Sequence, residues 1–102
     1  MKRVLITGAC GFIGRHTISP LLEKGFEVHS ADLRQSEHTE HISHTVDLSD
    51  PAATRNLIRS IRPSHLLHFA WYVKPGEFWT SPDNVRWLQR SLDLLMAFSE
   101  HG

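Results

Sequence analysis

Short apolar runs alternate along the chain with longer stretches of helical period. Arg3-Val4-Leu5-Ile6-Thr7 is a continuous apolar run bounded by glycine, the pattern of a strand covered on both faces. Residues 12–24 predict the first helix, with Ile13, Thr17 and Leu21 on one face and Gly25 closing it. Pro20 conflicts with that helix, because it removes a backbone donor and should kink it at about 3 kcal/mol. Phe26 to Ala31 predicts a second strand ending at Asp32, followed by a polar loop over 33–42 and a third strand over 43–47. Asp50-Pro51 opens a second helix, with Ser49 or Asp50 at the cap and Pro51 at the first position. Ala53, Leu57 and Ile61 are its expected buried stripe and Pro63 its stop. His65 to Ala70 predicts a fourth strand, 71–80 a loop, and Ser81-Pro82 the start of a long helix reaching about Glu100. Two apolar stripes run along it, Val85/Leu88/Leu92/Leu95 and Trp87/Leu94/Phe98. An arc that wide needs cover on more than the sheet side. Strands alternating with helices predict an α/β fold.

The 102 residues make one small domain, 1–102, and composition narrows its partners. Lys plus Arg and Asp plus Glu both number 11, so no basic surface for nucleic acid is expected. The eight histidines make the chain strongly positive only in acid. Cys10 is the single cysteine, which excludes an internal disulfide and fits a reducing cytoplasm. No apolar run is long enough for a membrane span, and Met1-Lys2-Arg3 precedes a strand-length segment instead of a signal peptide.

The candidate chemistry lies in Thr7-Gly8-Ala9-Cys10-Gly11-Phe12-Ile13-Gly14, between the first strand and the first helix. Backbone N–H groups and a helix N-terminus in that order can hold a pyrophosphate. Gly8 would permit the tight turn, Gly11 close approach to phosphate, and Gly14 close packing of the helix on the sheet. The spacing is G-x-x-G-x-x-G, a variant of the dinucleotide fingerprint G-x-G-x-x-G. Asp32 follows Gly14 by 18 residues, close to where a carboxylate meets the adenosine ribose. Such an acid accepts hydrogen bonds from the 2′- and 3′-hydroxyls and repels a 2′-phosphate, favouring NAD over NADP. Arg34 could instead pair with that phosphate.

With strand before, helix after and an acid ending the next strand, Thr-Gly-x-x-Gly-Phe-Ile-Gly resembles the extended short-chain dehydrogenase/reductases, the NAD-dependent epimerases and dehydratases. The resemblance covers the whole chain but only the N-terminal part of a family member. It implies a Rossmann-like, doubly wound parallel sheet truncated after about four strands, in the order 3-2-1-4. It also implies that Gly8, Gly11, Phe12, Ile13 and Gly14 hold the pyrophosphate. Asp47-Leu48 is similar to the family's Asp-Leu, whose acid faces the adenine amino group while the next residue packs on the base; a plain cap or turn role for Asp47 stays open. His65 to Ala70 is similar to the family's His-Leu-Ala-Ala, placing Ala70 beneath the cofactor. Phe69 and Trp71 replace smaller groups, and Trp71 either stacks near the nicotinamide or obstructs it. Asn84-Val85 matches a family pair, although the Gly-Thr that follows in the family is absent. The family's counterpart of the last helix often builds a dimer interface.

Family chemistry uses a Tyr-x-x-x-Lys pair, the tyrosine as acid/base. Here Tyr72 is followed four residues later by Gly76, and Lys74 stands at the wrong spacing. The resemblance therefore implies an NAD-binding portion of a nucleotide-sugar oxidoreductase that is not catalytic alone. A dinucleotide-sensing or interaction module and a gene remnant are the alternatives. The fourth strand would be an unpaired apolar edge, so self-association or a companion chain through that edge and the last helix is expected. His38, His41 and His44 recur every three residues but share no fixed face, which argues against a metal site. His65 and His68 point to opposite faces of a strand. A redox role for Cys10 is not expected, because no resolving cysteine exists. Tyr72, Lys74 and Glu77 lie where a substrate pocket could begin, but ordinary loop residues are the better reading of them.

Overall fold

A computed structural model describes residues 2–9, 14–33, 40–70 and 83–102. Four strands form one parallel sheet: β1 (Arg3–Thr7), β2 (Glu27–Asp32), β3 (Ile42–Thr45) and β4 (His65–His68), in the order β3-β2-β1-β4. Among the described residues β4 has β1 as its one strand neighbour, as expected of an edge. Val4 pairs with Val28 and His65, and Thr7 with Ala31 and His68, which aligns the carboxyl ends of β1, β2 and β4.

Alternation sorts the strand residues onto two faces. Val4, Ile6 and Val28 turn toward the first helix and pack with Ala9 and Ile18, flanked by Leu21, Leu22, Phe26, Leu67 and Phe69. Leu5 and Ala31 turn the other way and pack with Ile58, Ile61, Leu94 and Ala97 of the two remaining helices. Each face thus has its own apolar layer.

The first helix differs from the expected 12–24. A 3₁₀ turn, Gly14–His16, precedes a short α-helix, α1 (Ile18–Glu23). Pro20 accounts for the division. In a continuous helix its ring would meet the carbonyl four residues back, whereas a start at Ile18 puts it in the first turn, where no donor is needed. Residues 12 and 13 lie outside the described residues, Ile13 among them.

The second helix, α2 (Pro51–Ile61), is capped by Asp50, whose carboxylate accepts from the N–H groups of Ala52 (3.0 Å) and Ala53 (3.2 Å). Its fully buried side chains are Thr54, Ile58 and Ile61, with Ala53 and Leu57 half-buried. Ile61 is buried as expected and Leu57 packs against the core, while Thr54 and Ile58 are buried more deeply than Ala53 and Leu57. Thr54 tolerates burial because its hydroxyl donates to the Asp50 carbonyl, 3.1 Å away. The long helix, α3 (Asp83–His101), buries Leu94 and Ala97. Val85, Leu88, Leu92, Leu95 and Met96 are 53–61 % exposed. No helix among the described residues is long and apolar enough to cross a membrane.

Candidate functional site

The order β3-β2-β1-β4 reverses direction between β1 and β4, and in open α/β sheets ligands bind beyond the carboxyl ends at such a point. The chain leaves β1 there through Gly8, whose φ is +72°. Two constraints meet at this residue. Positive φ disfavours a side chain, and a Cβ would lie 2.7 Å from the Ala70 nitrogen and 2.8 Å from the Phe69 carbonyl carbon. Gly14 returns against the same turn: a Cβ on it would lie 2.1 Å from the Gly8 carbonyl oxygen. These glycines exist here because backbone packs on backbone at the end of the sheet. Gly11, Phe12 and Ile13 lie outside the described residues, as do Cys10, Arg34, His38, Trp71, Tyr72, Lys74 and Glu77.

The turn is tied to both neighbouring strands. Gly8 N–H reaches the Ala31 carbonyl at 3.4 Å, and Phe69 N–H donates to the Thr7 carbonyl at 3.0 Å. Ala70 N–H points to the Thr7 hydroxyl oxygen at 3.3 Å. Ala70 therefore sits directly against the glycine turn, half-buried. Asp32 closes β2, half-buried, and by alternation faces the side that α1 covers; its carbonyl accepts from Val46 N–H at 2.8 Å. Gly8, Gly14, Asp32 and Ala70 are thus gathered at one end of the sheet.

Asp47 and Leu48 follow β3. Leu48 is buried, whereas Asp47 is exposed and accepts from the Ser49 hydroxyl at 2.6 Å and the Ser49 amide at 2.9 Å, both on Oδ1. Those bonds, aided by the Arg90 charge, hold its carboxyl below the usual carboxylate range. Asp47 therefore makes an Asx-type turn into α2, the alternative role the sequence left open.

His68 was singled out only for its facing direction, yet it lies at the centre of a hydrogen-bonded chain. Its Nδ1 meets the Thr7 hydroxyl at 2.5 Å and its Nε2 the Ser91 hydroxyl at 2.7 Å, and Ser91 donates on to the Trp87 carbonyl at 2.8 Å. The available signal was a serine set within the apolar face of α3. His65, on the other face, meets Phe26 edge-on.

Among the described residues, the other histidines of the β2–β3 region are spread over both faces of the sheet. His41 Nε2 lies 2.9 Å from the Ser30 hydroxyl on one face, while His44 stacks on His29 on the other. His29 turns Nδ1 to His44 (2.9 Å) and Nε2 to Glu27 (3.3 Å), so no single point is shared by the three. Burial, and then His29, push the His44 pKa down. Among the described residues no three His, Cys, Asp or Glu side chains are grouped to hold an ion.

Comparison with known proteins gives a consistent result. The sequence model of the family described as "NAD dependent epimerase/dehydratase family" matches residues 4–102. UDP-glucose 4-epimerase 1 of Oryza sativa subsp. japonica is 31% identical over all of this chain and 34% of its own length. The UDP-glucose 4-epimerase of Thermus thermophilus in complex with NAD superimposes with a TM-score of 0.82 at 30% identity, over 98% of this chain and 34% of that one. The Bordetella bronchiseptica enzyme WbmH in complex with NAD+ gives 0.81 at 28%, over 99% and 36%. This chain spans about a third of the length of the curated relatives it matches.

Proposed function

The chain belongs to the NAD dependent epimerase/dehydratase family, and from that premise we propose that it is the NAD-binding portion of an epimerase/dehydratase-like oxidoreductase. The observation that carries this is the convergence of Gly8, Gly14, Asp32 and Ala70 at the switch point of the sheet. Gly8 and Gly14 leave bare backbone at the switch point, which suits close approach of a diphosphate, although the clashes a Cβ would make there are with the chain's own backbone. Gly8 and Gly14, with Gly11, Phe12 and Ile13, would hold the pyrophosphate. Asp32 would take the ribose hydroxyls and disfavour NADP, Leu48 would pack on the adenine, and Ala70 would lie beneath the cofactor. Asp47 would turn its second carboxylate oxygen to the adenine amino group, since Ser49 occupies the first. A cytoplasmic place agrees with a single cysteine.

The bound dinucleotide would accept and return hydride. These 102 residues contain no Tyr-x-x-x-Lys pair, so the acid/base for a nucleotide sugar would come from a further segment or a companion chain. Val85, Leu88, Leu92 and Leu95 recur at intervals of three and four on the exposed side of α3, the spacing of a helix–helix seam. With the β4 edge, that seam is the surface for self-association or for a companion. The missing pair equally favours a second reading, a dinucleotide-sensing module without catalysis.

Titration calorimetry with NAD, NADH and NADP tests the proposal. The expected result is NAD binding, weaker NADP binding, and a loss of roughly tenfold or more for Asp32→Ala. Absence of binding by all three would defeat the proposal. Binding that changes the assembly state without any turnover would favour the sensor.

A further inference from the structure

Four groups around His68 fix where its proton must be. Ser91 has one hydroxyl hydrogen and donates it to the Trp87 carbonyl at 2.8 Å. Toward His68, 2.7 Å away, the Ser91 oxygen can then only accept, so His68 Nε2 carries a proton. On the other side Ala70 N–H points at the Thr7 hydroxyl oxygen, and Thr7 in turn meets His68 Nδ1. An unprotonated Nδ1 accepts the Thr7 hydrogen, and every donor then has an acceptor. A proton on Nδ1 would instead leave the Thr7 hydrogen without its acceptor. The half-buried site also disfavours a second proton, and burial holds the His68 pKa below its ordinary value.

This chain of bonds joins three separate elements. Ser91 belongs to α3, His68 to β4, and Thr7 to β1 immediately before the Gly8 turn. The Gly8 turn has its tightest contacts with Phe69 and Ala70, the residues next to His68. We infer that His68, held as the neutral Nε2–H tautomer between Ser91 and Thr7, is a positioning residue that fixes the glycine turn against the end of β4 and thereby sets the affinity of this chain for a dinucleotide. The inference about affinity rests on the NAD reading above; the inference about tautomer and turn does not.

Two measurements on the 102-residue chain test it. Long-range ¹H–¹⁵N spectra of the imidazoles at neutral pH, with His68 assigned by its loss in His68→Asn, should show Nδ1 unprotonated and Nε2 protonated. The other tautomer, or an equal mixture, would overturn the inference. The second compares His68→Asn, His68→Gln, Thr7→Val and Ser91→Ala by circular dichroism, NAD calorimetry and amide hydrogen exchange. Asparagine places an acceptor near the δ nitrogen and keeps the Thr7 bond, whereas glutamine reaches only the ε position. Asn should therefore bind NAD within about threefold of the parent, while Gln and Thr7→Val should bind at least tenfold more weakly with their fold intact. Equal losses for Asn and Gln would reduce His68 to a packing residue. If the parent itself binds no NAD, the NAD reading fails alone, and Ala70 amide exchange decides the rest. That exchange should be at least tenfold faster in Gln and Thr7→Val than in the parent and Asn, and uniform exchange would refute the inference. Should the histidine variants fail to fold, the double variant Thr7→Val/Ser91→Ala carries the test: with both constraints removed it should mix the two tautomers, and a spectrum as purely Nε2–H as the parent's would count against the assignment.

Discussion

Replacing Gly14 with alanine sets two physical effects of opposite sign against each other. The φ of Gly14 is not positive. By backbone entropy alone, an alanine there should stabilise the chain by about 0.4–1 kcal/mol. The packing says otherwise, because the new methyl carbon would lie 2.1 Å from the Gly8 carbonyl oxygen and 2.8 Å from both Ala9 Cα and the Gly8 carbonyl carbon. Carbon–oxygen contacts settle near about 3.3–3.6 Å, so the turn must open by more than about 1 Å. All three obstacles are backbone atoms, which cannot rotate aside. Overpacking of this kind costs roughly 1–3 kcal/mol, and a backbone-on-backbone clash belongs at the upper end. Gly25 supplies the control: its φ is +87°, but a Cβ there meets nothing within 4 Å. Gly25→Ala should therefore cost only the left-handed strain of about 1–2 kcal/mol, offset by the alanine entropy gain of about 0.4–1 kcal/mol. Gly8→Ala combines strain and clash and should be the worst of the three. Urea unfolding followed by circular dichroism, with the slope compared across variants, gives the stabilities. The order expected is Gly25→Ala mildest, then Gly14→Ala, then Gly8→Ala, with NAD binding lost in the latter two and kept in the first. A Gly14→Ala chain as stable as the parent would refute the close-packed turn.

Other outcomes follow from the same geometry. Arg62 ends α2 at φ 51° with a left-handed backbone, so Arg62→Gly should stabilise by about 0.5–1 kcal/mol after glycine's own entropy is counted, read as a higher urea midpoint; a lower midpoint would contradict it. The pKa values of His44 and His68 both lie below the ordinary 6.5, so the unfolded chain binds more protons just under that pH. Stability should therefore fall as pH drops from about 6.5 and level off once both folded values are passed; a urea midpoint unchanged between pH 7 and 5 would disprove this. On α3, Leu92→Glu places a charge in the exposed seam, and sedimentation velocity should show an associating parent and a monomeric variant; a parent that is already monomeric removes the case for self-association.

Much of the fold was readable because period and punctuation agree. Asp50-Pro51 marked the start of α2 correctly, since a cap and a first-position proline act within one turn of helix. The stripe of α2 is legible at Ile61 but not at Thr54, which counts as polar by composition while its hydroxyl is satisfied by the Asp50 carbonyl. Pro20 was an anomaly only under the assumption of one helix over 12–24; starting α1 at Ile18 removes it. Gly8 and Gly14 were legible as constraints, whereas their neighbours were not. The atoms that forbid a side chain at Gly8 belong to Phe69 and Ala70, contacts that no local pattern announces. The bonds of His68 escaped for the same reason, with Thr7 61 positions before it and Ser91 23 after.

That long-range dependence alters what the glycine motif can be said to encode. A turn specified by its own residues would keep its shape in any strand–turn–helix fragment. Here the positive φ at Gly8 is held from outside, by Phe69 and Ala70 against its α-carbon, by the Ala31 carbonyl on its amide, and by Gly14 over its oxygen. β1 and α1 therefore do not make the cradle by themselves. It forms when β2 and β4 flank β1 in register and bring Ala31 and Ala70 to the same end of the sheet. The switch point is thus more than the place where a ligand finds room. It is where the two strands whose residues meet Gly8 are both adjacent to β1, so the position of the turn depends on the pairing of the sheet on both sides.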